Sequence, residues 1–374
     1  MLNEKMYQQC KRCVMDNKSD KTIRFDAEGY CNYCSDILNR REHEYFPENG
    51  INDYLLPLIG RMKEECKNDE FDCLVGVSGG IDSSYILYLG HKYGLRMLAV
   101  HIDDGLDNPI ATENIRKLIE ATGTKLINIS PDREEYADIM YSLIKASVNN
   151  LAIAQDNLIL KALQDCAEEK KIKWMLDGSN FAHESILERG NLVNSCDKKY
   201  ILGIQKRYGR RKIKKLQFMS LWERYIYRQW RNVKHIRPLN YMDYNVSMAI
   251  KELEAFCGFQ YYGGKHYESI LTRFMQCYYL PTKFGMDKRK SHFSSLIMSG
   301  QMTREQALNE LEKPLYSDAT DLERDKEFLA NYMGISVQEL ERCINQAPVD
   351  EMKFKHSILN EFAPIARKFR RFLE

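Results

Sequence analysis

The sequence predicts an α/β protein: a parallel-sheet domain, preceded by a short cysteine-paired segment and followed by a mainly helical C-terminal region. Two observations support this fold class. From about Phe71 to about Gly178, short apolar runs alternate with helical stretches, as in parallel sheets with right-handed crossovers. Beyond about Tyr200 the alternation ends, and the chain becomes helical, aromatic and basic. With 374 residues and 44% hydrophobic content, the chain has room for two or three modules.

The pattern divides the chain into four predicted segments. The polar, cysteine-paired segment covers 1–40, and a linker with one helix, roughly Asn52 to Cys66, covers 41–69. The sheet domain covers 70–235. The helical C-terminal region covers 236–374.

Four strands are predicted, because each is an apolar run of the kind that is buried on both faces of a parallel sheet. They are 73–77, 97–102, 125–129 and 173–176. Helices are predicted between them, at Ser83–Tyr93, at Ala111–Thr122, and once or twice between Glu134 and Lys170. Two capping boxes, at 303–306 and 336–339, predict helix starts in the C-terminal region.

Composition excludes several classes of protein. Charged residues make up 29% but the net charge is only +2, which argues neither for a nucleic-acid coat nor for an acidic tail. No stretch approaches ~20 apolar residues, so no transmembrane helix is expected. The first residues lack the apolar core of a signal peptide. The odd number of cysteines, 11, fits a reducing compartment, so we expect a cytoplasmic protein.

The loop 78–83, which reads SGGIDS, is the most informative motif, because it follows the first strand and opens a helix. Its glycines let the backbone approach an anion, and the amides and dipole of the helix start attract phosphate. Asp82 is better interpreted as a ligand of phosphate-bound Mg²⁺. The loop lacks the Gly-Lys-Ser/Thr of a Walker motif. It resembles the SGGxDS signature of the PP-loop ATP pyrophosphatases, which implies cleavage of ATP between its α and β phosphates.

The ends of the second and fourth strands extend this site, because ligands of open α/β sheets bind at the carboxyl ends of strands. Asp103 or Asp104 contacts ribose or metal in one interpretation and forms an acidic turn in the other. Asn180 binds substrate or caps the next helix. His183 is interpreted as structural. The predicted ATP-binding residues are Ser78, Gly79, Gly80, Asp82, Ser83, His101 and Asp103.

The cysteine pairs Cys10-x-x-Cys13 and Cys31-x-x-Cys34 predict a structural Cys₄ zinc site. Four thiolates fill the tetrahedral coordination shell of a zinc ion, so no coordination position is open for catalysis. An iron–sulfur cluster is the other metal centre that fits four cysteines.

Basic residues are concentrated in the C-terminal half. The run from Lys198 to Lys215 holds nine basic and no acidic residues. Two interpretations carry equal weight: a solvated face, or a site for a polyanion such as a diphosphate-linked substrate or RNA. A second set of cations, at 265–292, is expected to close over the phosphates of ATP and to stabilise departing pyrophosphate.

Taken together, these segments resemble one family, the N-acetyl sugar amidotransferases of the WbpG/PseA type. The resemblance covers nearly the whole chain up to about Leu311, although relatives often carry lysine where Ile81 stands. The tip at 177–179 also departs from the expected glycine-rich form. The matching segments are 12–16, 31–34, 78–83, 180–182, 184–187, 265–269, 272–274, 283–290 and 299–305. The residues predicted to be catalytic are Asp82, Lys283 and Arg289, and those predicted to bind substrate are Asn180, Glu184, Lys265 and Arg273.

The resemblance implies a reaction for surface-glycan biosynthesis with ATP, Mg²⁺ and a structural Zn²⁺. The acetamido oxygen of a sugar, expected to be UDP-linked, attacks ATP. Ammonia then replaces the AMP-bound oxygen and yields an acetamidino group. The resemblance also implies a glutaminase partner as the ammonia source, similar to the two subunits of imidazole-glycerol-phosphate synthase. No membrane partner is expected.

The main alternative is a tRNA-modifying PP-loop enzyme, especially a sulfur transferase, for which the basic run would bind RNA. Sulfur transfer needs catalytic cysteines near ATP, yet only Cys166 and Cys196 lie between the loop and Lys215, and they form no CxxC pair. Nucleic acid is therefore not expected as a partner. A zinc-knuckle binding module without catalysis is a third alternative, which the intact loop disfavours.

Overall fold

The computed structural model describes residues 6–188, 193–230, 233–349 and 353–359. Its centre is a five-stranded parallel sheet with the strand order β3-β2-β1-β4-β5. The strands are β1 (Cys73–Gly76), β2 (Met97–Ile102), β3 (Lys125–Ile129), β4 (Trp174–Leu176) and β5 (Lys234–Ile236). The four strands predicted from apolar runs are confirmed. Strand β5 was not predicted, because a three-residue edge strand with basic residues has no apolar run to reveal it.

Helices follow each of the first four strands, as the alternation predicted. The helices up to the end of β4 and just beyond are α1 (Asn32–Glu44), α2 (Leu56–Glu65), α3 (Ile81–Lys92), α4 (Pro109–Thr122), α5 (Arg133–Lys145), α6 (Ile153–Glu169) and α7 (Phe181–Glu184). A wider turn at Ile51–Leu55 leads into α2, so the predicted linker helix begins with an irregular turn.

The C-terminal half is mainly helical, as predicted. Its helices are α8 (Lys198–Tyr208), α9 (Leu221–Trp230), α10 (Val246–Cys257), α11 (Ile270–Phe274), α12 (Leu280–Phe284), α13 (Arg289–Ser299), α14 (Arg304–Leu311), α15 (Ala319–Met333) and α16 (Val337–Asn345). Thr303 closes a full capping box with Gln306 at the start of α14, and Ser336 accepts a hydrogen bond from the amide of Glu339 at the start of α16. None of the helices in the described ranges is long and apolar enough to cross a membrane.

The sheet is covered on both faces. Val75 belongs to a core formed with α2, α3, α4 and α10, whereas Leu74 packs in a separate core with α6. Successive strand residues point to opposite faces, so both positions must be apolar when helices cover both sides. This double coverage explains why the strands read as unbroken apolar runs.

A further core joins the two halves of the chain. Helices α5 and α8, which lie within the predicted sheet domain, pack in this core with α11, α15 and α16. The predicted boundary between 235 and 236 falls inside β5. The sheet domain and the C-terminal region therefore share buried surface, rather than being joined only by a linker.

Candidate active site

The carboxyl ends of β1, β2 and β4 open onto a cleft of about 1950 Å³. Pockets for one small ligand usually measure roughly 300–1,000 Å³, so this cleft has room for a nucleotide and a second substrate. It brings together most of the predicted site residues and leaves out several. Those that line it are Ser78, Gly80, Asp82, Ser83, His101, Glu184, Lys265, Arg273 and Arg289.

The loop between β1 and α3 is held in one conformation by its own side chains. Gly79 has a φ of +71°, and a Cβ there would lie 2.2 Å from the carbonyl oxygen of Ala111, so only glycine fits. The amide of Gly80 donates to Ser78 Oγ at 3.3 Å, and the amide of Ser78 donates to Ser83 Oγ at 3.2 Å. The loop therefore presents a bent backbone at a helix start, as anion binding requires.

Asp82, in the first turn of α3, lies at the centre of a charged cluster. Its carboxylate accepts a hydrogen bond from Tyr244 Oη at 2.5 Å and lies 3.6 Å from Lys265 Nζ. Lys265 also donates to Glu184 Oε1 at 2.9 Å. Burial alone would lower the pKa of Lys265, but the nearby carboxylates of Asp82, Glu184 and Glu268 have a larger effect. The net pKa of Lys265 is therefore raised. Lys265 is thus a protonated cation beside the loop.

Glu268 also lines the cleft, although only its segment, 265–269, and not the residue itself was predicted as part of the site. Its side chain is half-buried, and a Cβ on Gly80 would lie 3.1 Å from its carboxyl carbon. Burial raises the pKa of Glu268, but His266 and Lys265 more than offset this, so its net pKa is lowered and it is a carboxylate. Within the described residues, its Oε2 atom has no hydrogen-bond partner. The fold thus aims a second carboxylate at the loop.

His183, which was predicted to be structural, lies in the cleft wall. It is 2% exposed, and its Nδ1 atom is 3.9 Å from Asp82 Oδ1. Burial lowers its pKa, which keeps the ring neutral. His292 packs edge-on against it, and burial lowers the pKa of His292 to about 3. No motif in the sequence marks either ring, because only the folded chain brings α7 and α13 together.

At the end of β2, His101 lines the cleft but Asp103 does not. His101 Nδ1 lies 2.9 Å from the carbonyl of Val77, and Nε2 lies 3.0 Å from Asp107 in the cleft wall. Asp103 is exposed outside the cleft lining, and its carboxylate accepts the amide of Gly105. This geometry favours the acidic-turn interpretation of Asp103 and does not support its predicted contact with ATP. Neighbouring Asp104 is buried, which raises its pKa to about 6.

Two predicted residues act as helix caps. Asn180 Oδ1 accepts the amide of His183 at 3.0 Å and starts α7, so its side chain is not among those that line the cleft. Lys283 is buried outside the cleft, and its Nζ donates to three carbonyl groups at the end of α16. These contacts are structural, and they do not support the substrate role predicted for Asn180 or the catalytic role predicted for Lys283.

The two predicted arginines line the cleft but already have partners. Arg273 forms a two-pronged ion pair with Asp325. Arg289 pairs with Asp287 and donates to three carbonyl groups at the end of α14. These guanidinium groups position the cleft wall. Their contacts do not support the catalytic role predicted for Arg289 or the direct substrate contact predicted for Arg273.

The basic run at 198–215 is partly neutralised by the start of α5. Arg210 pairs with buried Asp138 at 2.9 Å, and Lys215 pairs with Asp132 at 2.6 Å. The carboxylate of Glu135 accepts the amides of three consecutive residues from Lys214 onwards. The basic run packs against the acidic start of α5. These contacts match neither a fully solvated face nor a free polyanion site, and they give the run a structural role.

The four cysteines of the N-terminal segment converge on one point. All are buried, and their sulfur atoms lie within 4.8 Å of one another. The Sγ–Sγ distances are 3.8 Å for Cys10–Cys34, 3.7 Å for Cys13–Cys31 and 3.6 Å for Cys31–Cys34. Tetrahedral zinc with bonds of ~2.3 Å separates its sulfurs by ~3.8 Å, so the cluster fits structural zinc.

The cysteine cluster is tied to the cleft wall. The side chain of Arg304 donates to the carbonyls of Cys10 and Cys13, and the amide of Val14 donates to Ser294 Oγ on α13. The cysteines share a core with Phe181 on α7 and with Met298 on α13. The cysteine cluster therefore supports two helices of the cleft wall. Helix α7 carries His183 and Glu184, and helix α13 carries His292.

Part of the chain is similar to a known protein family. Residues 268–367 match a family model described as "LPS biosynthesis protein WbpG-like, C-terminal domain", which confirms the predicted resemblance to the WbpG type. No curated protein matches the chain.

Similar solved structures include three enzymes or subunits of enzymes. An NH3-dependent NAD synthetase from Campylobacter jejuni is 20% identical, over 40% of this chain and 70% of that chain, with a TM-score of 0.29. An NMN synthetase from Francisella tularensis is 18% identical, over 50% and 71%, with a TM-score of 0.29. A protein described as "predicted subunit of tRNA methyltransferase" from Methanocaldococcus jannaschii is 18% identical, over 49% and 72%, with a TM-score of 0.27.

Proposed function

We propose that this chain, which carries a PP-loop-like motif at 78–83 and a WbpG-like C-terminal domain, is an ATP-dependent amidotransferase acting on an N-acetyl sugar. It would convert the acetamido group into an acetamidino group and form AMP and pyrophosphate. One observation carries the proposal: the loop 78–83 faces Lys265 and two carboxylates in a cleft large enough for ATP and a second substrate. The WbpG-like segment begins at residue 268, so it includes part of that cleft wall.

In the first step, the amide oxygen attacks the α phosphorus of ATP, the bond to the bridging oxygen breaks, and pyrophosphate leaves. The protein supplies position and charge for this step and no nucleophile of its own. The positive end of the α3 dipole and the ammonium of Lys265 stabilise the charge that develops on pyrophosphate. The product is an imidate whose oxygen is bonded to AMP.

Asp82 and Glu268 are the residues that would hold Mg²⁺. Oxygen ligands suit this ion. The buried Oε2 atom of Glu268, beside Gly80, has no hydrogen-bond partner among the described residues, so it is available to coordinate a cation. When bound, Mg²⁺ would reduce the repulsion between the phosphates and the attacking oxygen.

In the second step, ammonia attacks the imidate carbon and AMP leaves with the original amide oxygen. The nitrogen loses its surplus protons, so the balance is acetamido sugar, ATP and ammonia in, and acetamidino sugar, AMP and pyrophosphate out. Ammonium predominates at neutral pH, so a glutaminase partner that delivers unprotonated ammonia belongs to the proposal. The linkage of the sugar to UDP is also part of the proposal.

The test is to incubate the protein with ATP, Mg²⁺, ammonium and a UDP-N-acetyl sugar that carries heavy oxygen in its acetamido group. We expect AMP that contains the heavy oxygen, and a sugar in which NH replaces O. Asp82→Asn should abolish AMP formation, whereas Asp103→Asn, on an exposed turn, should not. Heavy oxygen that stays in the sugar while AMP forms would refute the mechanism.

Modification of tRNA is the less supported candidate. Cys166 packs in the core under the sheet, so it offers no accessible thiolate for sulfur transfer. The basic run that favoured RNA has acidic partners on α5. AMP formation that requires tRNA and a persulfide, and not the sugar, would overturn the amidotransferase proposal in favour of this one.

A further inference from the structure

We propose that His183 is the binding residue for the incoming nitrogen: its Nδ1 atom accepts a hydrogen bond from ammonia and orients it in the cleft. This inference rests on the proposed function, because it assigns a place to the second substrate of that reaction. It also gives a role to a buried acceptor for which the described part of the chain provides no hydrogen-bond partner.

The position of His183 makes its Nδ1 atom part of the reaction space. The ring belongs to α7, is 2% exposed and lines the cleft. Nδ1 lies 3.9 Å from Asp82 Oδ1, beside the phosphate loop. The rings of Tyr244 and His292 pack against it, with centroids 5.2 Å and 5.8 Å away, and hold its orientation.

Gln301 determines which nitrogen of His183 carries the proton. The Nε2 atom of Gln301 donates to the carbonyl of Tyr244 at 2.6 Å, so its Oε1 atom must face His183. That oxygen lies 3.3 Å from His183 Nε2 and can only accept, so Nε2 is the protonated nitrogen of the neutral ring. Nδ1 is then a bare lone pair, and it has no hydrogen-bond partner among the residues that the structure describes.

Charged and titratable groups from four parts of the chain surround the ring of His183. Asp82, Lys265, Glu184 and His292 face it from α3, from the segment after α10, from α7 and from α13. A buried acceptor without a partner costs free energy, which a donor-bearing ligand would recover.

The ligand that fits is small and brings its own hydrogens. Nδ1 and Asp82 Oδ1 are two acceptors 3.9 Å apart, so whatever contacts both must donate. Ammonia can donate to Nδ1 while its lone pair faces the imidate carbon, which satisfies the requirement for orientation. As the C–N bond forms, the nitrogen becomes cationic, so the same hydrogen bond strengthens in the transition state. A water molecule on Mg²⁺ is the competing occupant, and the experiment below separates the two.

Two substitutions distinguish the acceptor from a structural ring. His183→Asn puts an amide oxygen near the place of Nδ1, whereas His183→Gln reaches the place of Nε2 and keeps only the contact with Gln301. The readouts are sugar-dependent exchange of pyrophosphate into ATP without ammonia, which reports the first step, and the ammonium concentration that half-saturates turnover. Thermal unfolding of both variants checks that they fold.

We expect exchange to persist in both variants. The half-saturating ammonium concentration should rise about 10- to 100-fold in His183→Gln and less than about threefold in His183→Asn. The reverse order, or equal effects, would overturn the proposal in favour of a structural ring. Loss of exchange with a raised Mg²⁺ requirement would overturn it in favour of metal-bound water. Wild-type protein without sugar-dependent exchange would refute the proposed function itself, and this inference with it.

A measurement on the unaltered protein needs no variant. With isotope-labelled histidine, the Nδ1 resonance of His183 should have the shift of an unprotonated nitrogen. It should move when ammonium chloride is added and stay in place with sodium chloride. A protonated Nδ1, or no response to ammonium, would refute the assignment.

Discussion

Gly79→Ala should damage the phosphate loop far more than the same substitution at another glycine with the same backbone conformation. Gly79 has a φ of +71°, and Gly123, at the end of α4, has a φ of +63°. An alanine in this left-handed region costs roughly 1–2 kcal/mol at either position. At Gly123 nothing lies within 4 Å of the added Cβ, so that cost is the whole effect.

At Gly79 a steric cost is added. The Cβ would lie 2.2 Å from the carbonyl oxygen and 2.7 Å from the carbonyl carbon of Ala111, both of which are backbone atoms. The loop and α4 must therefore separate by roughly 1 Å, because packed interiors do not tolerate such overlap. A displacement of that size at a substrate-positioning group costs about 10²-fold in rate.

The assay compares the two alanine variants with the wild type in urea unfolding and in AMP formation. We expect Gly123→Ala to lose roughly 1–2 kcal/mol of stability and to keep its activity, and Gly79→Ala to lose more stability and about 10²-fold in rate. The reasoning is refuted if Gly79→Ala is no less stable than Gly123→Ala and is fully active.

Three further outcomes follow from the structure. Metal analysis should find about one zinc per chain, and Cys31→Ser should lower the unfolding temperature rather than only slow turnover. Lys283→Met should cost roughly 1–3 kcal/mol in urea unfolding, because it leaves buried carbonyl groups at the end of α16 without a donor. Burial raises the pKa of Asp104 to about 6 from 3.8, so the folded state binds its proton more tightly than the unfolded chain. The free energy of unfolding should therefore fall as the pH rises from 3.8 to about 6. Asp104→Asn should reduce this pH dependence, measured as the urea midpoint at each pH.

The features that the sequence predicted correctly are local. Strands β1 to β4 are continuous apolar runs because helices cover both faces of the sheet, and the loop after β1 is a contiguous motif. The four cysteines lie in two short pairs that the chain can bring together within one small segment. In each case the residues that cooperate lie close in sequence, or repeat with the period of the element that they form.

The features that the sequence missed depend on partners far along the chain. Lys283 reads as a free cation until α16 folds back and places its last carbonyl groups around Nζ. Arg273 finds Asp325 on α15 in the same way. Charge alone cannot distinguish a cation that binds substrate from one that caps a helix, because both types of residue look alike without the fold. The reverse holds for His183, which has no charge signal and becomes a site residue only when α13 and α14 position Gln301.

The cysteine cluster and the cleft are coupled through packing, although zinc in a closed Cys₄ site has no coordination position for a substrate. Phe181 and Met298 pack with the cysteines, and the same two helices carry His183 and His292 into the cleft. Loss of zinc would therefore loosen α7 and α13 before it unfolds the sheet, whose cores lie elsewhere. Since the loop 78–83 is held by contacts within itself and by Tyr262, nucleotide binding should survive chelation better than turnover does. A chelated protein that loses ATP binding and turnover in equal measure would contradict this order of events.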